Sequence, residues 1–209
     1  DVYKRQELGL YITINGGDKW SKFTKNVPPV AIHYIELQAN TNDLVMGTHG
    51  RGVIIIDDIS PLREINETNL SNKLYFFERD QFEIQEFGGF ADNFGRETQF
   101  IGANSSLSCQ IQYLLPRRHT FGKMTMEIQD MEGNKVTTLN PGKTKGINTV
   151  EWNYNMRTPK IAKGKTLSFG GFTSPTVPAG KYKVVIKKGR DTFEKTIDVT
   201  YKNNAGLNE

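Results

Sequence analysis

Few side chains in this sequence stand in patterns that could do chemistry. His49 and Arg51 sit in the glycine-rich segment Gly47-Thr-His-Gly-Arg-Gly52, where an imidazole and a guanidinium two residues apart could contact a ligand. The glycines alone also explain the turn, through backbone freedom. Asp57 and Asp58 are the nearest approach to the two carboxylates that glycoside hydrolysis uses. Neighbours on a strand point to opposite faces, so this pair does not converge without a bulge, and capping of a strand end is the simpler role. The histidines are His33, His49 and His119, with no metal-ligand spacing among them, and Cys109 is the single cysteine. A disulfide framework within the chain and a cysteine-based zinc site are excluded, and neither metal nor cofactor is expected. His33 alternates with Ile35 and Leu37 and reads as a satisfied core or interface residue. Cys109 alternates with Leu107 and Ile111 and reads as a small core hydrophobe with no activating base. The glycine spacing in residues 47–52 precedes a strand and not a helix, so it is no dinucleotide fingerprint. No catalytic set is expected.

The elements that must position these residues alternate with period two, and the helical period is nearly absent. Leu10, Ile12 and Ile14 share one strand face, His33, Ile35 and Leu37 another, and Leu44 to Met46 is a third short strand. Val53-Ile54-Ile55-Ile56 is apolar on both faces, as a strand buried between neighbours would be. Turn signals at Asn15-Gly-Gly-Asp18, Val27-Pro-Pro29, Asn40-Thr-Asn-Asp43 and Gly47-Thr-His-Gly50 separate the strands. Four short strands in about 50 residues match one four-stranded propeller blade. Further on, Leu107, Cys109, Ile111, Tyr113 and Leu115 share a face. Met124, Met126 and Ile128 follow, then Val150, Trp152 and Tyr154, then Tyr182, Val184 and Ile186, and finally Phe193, Ile197, Val199 and Tyr201. Turns spaced between these runs suggest an antiparallel sandwich of immunoglobulin size. The segment from Pro61 to Phe100 is poorly periodic and reads as a connector with one strand around Leu74-Tyr-Phe-Phe77.

The 209 residues are 36% hydrophobic and 11% aromatic, which excludes disorder along the whole length. The longest aliphatic run is the four residues from Val53, far short of a membrane-spanning helix. The formal charge of +4 hides an asymmetry: residues 1–95 hold 9 Lys+Arg against 14 Asp+Glu, and residues 96–209 hold 18 against 9, near −5 and +9. The positive charge falls in turns (Lys143, Lys145, Lys160, Lys163, Lys165) or alternates along a strand (Lys181, Lys183, Lys187). That is the pattern of a solvated surface, and no nucleic-acid partner is expected.

The segment Thr13-Ile-Asn-Gly-Gly-Asp-Lys-Trp20 resembles the Asp-box, the bacterial neuraminidase repeat, through Thr13, Asn15, Gly17 and Trp20; Lys19 replaces the usual threonine. Asn15 can cap the turn, Gly17 can take positive φ and Trp20 can start the next strand. The resemblance implies a structural role for these four residues. Gly47-Thr-His-Gly-Arg-Gly-Val-Ile-Ile-Ile-Asp-Asp58 is similar to the closing strand in the last blade of sortilin-like and xyloglucanase-like Asp-box propellers. Ile111-Gln-Tyr-Leu-Leu115, Gly146-Ile-Asn-Thr-Val-Glu-Trp152 and Pro178-Ala-Gly-Lys-Tyr-Lys-Val184 resemble the immunoglobulin-like domain of the flagellar hook-capping protein.

On this resemblance the chain is expected to be all-β: adapter-derived residues 1–6, the closing blade of a β-propeller at 7–60, a linker at 61–100, an immunoglobulin-like antiparallel β-sandwich at 101–202 and a tail at 203–209. A lone blade cannot bury both sheet faces, so the chain is expected to be the C-terminal fragment of a longer bacterial protein, extracellular or periplasmic, whose upstream blades are its partners. His49 and Arg51 are candidate channel-facing contacts for a glycan or protein ligand. The implied function is non-catalytic, structural or recognition. The rivals are the C-terminal part of a sialidase-like or xyloglucanase-like glycoside hydrolase with its catalytic residues upstream, and a free-standing carbohydrate-binding sandwich.

Overall fold

The computed structural model describes residues 2–6, 9–24, 26–84, 107–158 and 174–202. The chain divides into two compact units, Asp1–Phe77 and Glu78–Glu209. Among the described residues, no helix is long and apolar enough to cross a membrane.

The first unit holds two three-stranded antiparallel sheets. One is β1 (Val2–Gln6), β2 (Gly9–Thr13) and β3 (Ser21–Phe23), in that order. The other is β4 (Ile32–Gln38), β5 (Asp43–Thr48) and β6 (Val53–Ile56). Two short helices, α1 (Ser60–Arg63) and α2 (Glu67–Ser71), lead to β7 (Tyr75–Phe76). Leu10 from one sheet and Ile32, Leu44 and Met46 from the other are buried in one cluster, which Val27 and Ile59 complete. Ile12, Phe23, Ile35, Ile54 and Ile56 pack around it. Strands β2 to β6 thus turn apolar residues toward a core shared by both sheets.

One expectation for this unit needs correction, and two features of its strands were not foreseen. Residues 2–6, which fit no blade pattern in the sequence, form β1 and pair with β2 through five positions from Val2–Thr13 to Gln6–Gly9. The ladder uses backbone groups that every residue carries, so a strand edge can be extended by a segment with no recognisable side-chain pattern. Where the sequence suggested four short strands over residues 7–60, those residues hold five, β2 to β6, shared between the two sheets. The residues of β6 are not all buried: Ile54 and Ile56 face the cluster, while Val53 is 65% and Ile55 56% exposed on an edge strand.

The second unit contains a five-stranded sheet in the order β11-β10-β13-β14-β8 and an antiparallel pair, β9 with β12. The ranges are β8 (Gln81–Ile84), β9 (Cys109–Leu115), β10 (Met124–Gln129), β11 (Lys135–Leu139), β12 (Gly146–Trp152), β13 (Gly180–Lys188) and β14 (Asp191–Tyr201). All neighbours in the large sheet are antiparallel except β8 and β14, which run parallel. The inward residues follow period two: Cys109, Ile111, Tyr113 and Leu115; Met124, Met126 and Ile128; Tyr182, Val184 and Ile186; Ile197 and Val199 are all buried. The Trp152 ring of β12 meets the Tyr182 ring of β13 edge-on at 5.6 Å, joining the pair to the large sheet in a sandwich-like arrangement. Part of the expected linker is therefore sheet. Phe82 and Ile84 point in and Gln81 and Glu83 point out, an alternation too short to stand out in the sequence. The phenylalanines around residues 87–94 and 169–172, and the lysines at 160, 163 and 165, lie outside the described residues.

Candidate functional site

The turn that resembles an Asp-box is pinned by its own side chains. Thr13 ends β2 with 2% exposure, and its Oγ1 accepts the Gly17 N–H at 3.1 Å while donating to Asn15 Oδ1 at 2.9 Å. Asn15 Oδ1 also accepts the Lys19 N–H at 3.0 Å. Gly16 and Gly17 take φ of +72° and +106°, where a Cβ would be strained. Trp20 precedes β3 and is 36% exposed. The Thr13 hydroxyl and the Asn15 carbonyl oxygen are thus engaged within their own turn.

His49 follows β5, its N–H donating to the Ala31 carbonyl at 2.9 Å. The loop beyond it is closed by Thr48, whose N–H and Oγ1 both donate to the Gly52 carbonyl, at 3.0 and 2.7 Å. Gly50 and Gly52 supply the positive φ that this closure needs. His49 and Arg51 are exposed. The residue brought to His49 is His33, with ring centroids 5.5 Å apart and tilted by 54°. Of the core or interface position expected for His33, the core alternative is overturned: it is exposed, because a register shift between Ile32 and Tyr34 inserts an extra residue and puts Ile32 into the core instead. Asp57 is exposed, and Asp58, at φ +43°, accepts the Ser60 N–H at 3.1 Å, a local turn contact. Among the described residues, no group of three or more His, Cys, Asp or Glu could hold a metal ion.

A polar cleft of about 480 Å³ lies in the second unit, lined by Arg79, Gln81, Glu83, Tyr154, Asp198 and Thr200 among others. Gln81 and Glu83 stand on β8 opposite Asp198 and Thr200 of β14, so the two carboxylates are diagonal neighbours on adjacent strands. Arg79 lies over the Phe82 ring at 5.2 Å from its centroid. Tyr154 has φ +55°, a costly conformation for a bulky residue. It is held there by Val177 N–H donating to its carbonyl at 2.7 Å, by its ring 5.5 Å from that of Trp152, and by its hydroxyl donating to the Glu83 carbonyl at 3.2 Å. Burial pushes the Tyr154 hydroxyl up to about 12, so it stays a neutral donor. The alternations Gln81 to Ile84 and Ile197 to Thr200 were the available sequence signals for this cleft, but their meeting through a parallel pairing was not legible.

Chemically the cleft offers carboxylates, a guanidinium and amide and hydroxyl groups for polar ligands. Among the described residues it presents no aromatic platform, since Phe82 and Tyr154 are 4% and 5% exposed. Among the described residues it also shows no activated nucleophile. Cys109 is fully buried, and burial, which outweighs the influence of Arg79 and Lys195, pushes its thiol up to about 12. No protein-family model matches the chain, and neither the curated proteins nor the solved structures contain a match.

Proposed function

We propose that the chain is a non-catalytic structural or recognition portion of a larger extracytoplasmic Asp-box propeller protein, in which the first unit packs against a further sheet of the same polypeptide. The observation that carries this reading is the outward face of β4-β5-β6. The cross-strand rows Tyr34–Gly47–Val53 and Glu36–Val45–Ile55 lie on that face. Tyr34 is 58%, Val53 65% and Ile55 56% exposed. Single exposed apolar residues are ordinary, but two adjoining rows make a patch. The opposite face of the same sheet is already closed by β1-β2-β3 through the shared cluster. A second sheet is therefore the occupant that matches the precedent within this unit, and Gly47 leaves the middle of the face flat for it.

A labelling experiment tests this. Cys109 is buried and protonated, so Ile55→Cys creates a single reactive thiol on the outward face. It is expected to react readily with a maleimide at neutral pH in this chain, and to be protected when the chain is expressed joined to the other sheets of the propeller. Equal reactivity in both would overturn the reading. A glycan-recognition role is favoured by one further observation, the carboxylates and guanidinium of the polar cleft. Sugar binding that is lost in Glu83→Ala and Asp198→Ala would support it, and binding that survives both would remove the cleft from consideration.

A further inference from the structure

One end of the second unit carries a charge pattern that neither the cleft nor the sheet face uses. Gly146 pairs with Leu115, Met126 with Leu139, and Met124 with Lys188. This register brings three connections to the same end: residues 116–123, 140–145 and 189–190. They are tied together by the His119 N–H donating to the Lys143 carbonyl at 3.0 Å and the Gly189 N–H donating to the Lys123 carbonyl at 3.3 Å. Together they present Arg117, Arg118, Lys123, Lys143, Lys145 and Arg190, all exposed, and contain no acidic residue. Among the described residues none of these six side chains is in an ion pair. Beside them Phe121 is 88% exposed.

The surface is held in shape from beneath. Asn148, 4% exposed, accepts from the Thr144 N–H and Oγ1 at 3.1 and 2.8 Å and donates to the Thr144 and Gly146 carbonyls at 2.8 and 3.0 Å. The buried Tyr113 hydroxyl donates to the Gly142 carbonyl at 2.6 Å. A Cβ on Gly142 would stand 2.5 Å from Asn148 Oδ1, so only glycine fits there. The lysines at 143 and 145 are thus displayed by an ordered loop, which lowers the entropy lost on binding.

We propose that this end docks the protein on an anionic phospholipid surface, with Phe121 entering the boundary between headgroups and acyl chains and the six cations meeting lipid phosphates. Cations alone would serve any polyanion. A nearly bare phenylalanine at the same end gains only where it can leave water, and an apolar anchor combined with a basic patch is the pairing that holds a protein at a bilayer interface. This docking is independent of the propeller reading.

The test is co-sedimentation of the full chain with vesicles of phosphatidylcholine, with and without phosphatidylglycerol, at low and high salt. Binding is expected only to the anionic vesicles and to weaken as salt rises. Arg117→Ala with Arg118→Ala is expected to lower partitioning about thirtyfold. Phe121→Ala is expected to lower it about tenfold. All three positions are exposed, and unchanged circular dichroism would verify the fold of each variant. Binding to neutral and anionic vesicles alike, or indifference to Phe121→Ala, would overturn the proposal. So would binding to heparin or DNA without binding to vesicles, which would assign this end to a soluble polyanion.

Discussion

Thr13 illustrates how much one hydroxyl can hold. Its Oγ1 accepts from Gly17 and donates to Asn15, and the strand ends where that exchange begins. Thr13→Val keeps the shape but leaves the Gly17 N–H without its acceptor, and is expected to cost about 1–2 kcal/mol in denaturant unfolding. Loss of stability well below that would mean the turn does not depend on its side-chain pins. Cys109 makes a different prediction. Its thiol is pushed from 9.0 to about 12 by burial, so folding favours the protonated form. That contribution is complete below about pH 9 and is lost as the pH rises from there toward 12. Tyr113 and Tyr154 are raised by burial as well and act in the same direction. Thermal stability is therefore expected to fall progressively above pH 9, and less steeply in Cys109→Ala than in the native chain. A loss that starts at neutral pH, or one unchanged by the substitution, would contradict this.

Strand β8 carries the sharpest prediction among the elements. Phe82 is 4% exposed between Gln81 and Glu83, and the flanking backbone is tied to β14, the Asp198 N–H donating to the Asp80 carbonyl at 2.7 Å and the Lys202 N–H to that of Ile84 at 3.1 Å. Phe82→Ala is expected to destabilise the second unit by about 3–5 kcal/mol, followed through the buried Trp152. A linker residue would give no measurable change. The same element shows where sequence reading runs out. Strands with long alternation were legible: Ile111 to Leu115, Met124 to Ile128 and Tyr182 to Ile186 all turn the expected residues inward. Four residues of alternation at β8 were too few, and the parallel pairing with β14 leaves no local signal, because the partners are far apart in the chain. In β4 the alternation was visible, but the register shift that turns His33 outward was not, since a bulge depends on the partner strand as well as on its own residues. The pins of the 13–19 turn were legible through their residue types, whereas the diagonal of Glu83 and Asp198 depended on a pairing that only the fold reveals.

For the whole molecule, the structural division changes the meaning of the charge. The sequence suggested an acidic half and a basic half split near residue 95. Counting from the boundary after Phe77 gives 8 Lys+Arg against 9 Asp+Glu in the first unit and 19 against 14 in the second, or −1 and +5. The contrast softens because Glu78, Asp80 and Glu83 belong to the second unit, whose positive charge is shared between its strands, at Lys181, Lys183 and Lys187 among others, and one loop end. What sets the first unit apart is the apolar outward face of β4-β5-β6. The most direct measurement is sedimentation velocity of the 209-residue chain with a fluorescent apolar dye, comparing the native sequence with Val53→Thr plus Ile55→Thr. If that face is built to be covered by another sheet, the native chain will bind dye and associate as concentration rises, and the double variant will lose both while keeping its thermal stability. A native chain that stays monomeric and dark at every concentration, or a double variant that binds dye unchanged, would contradict it.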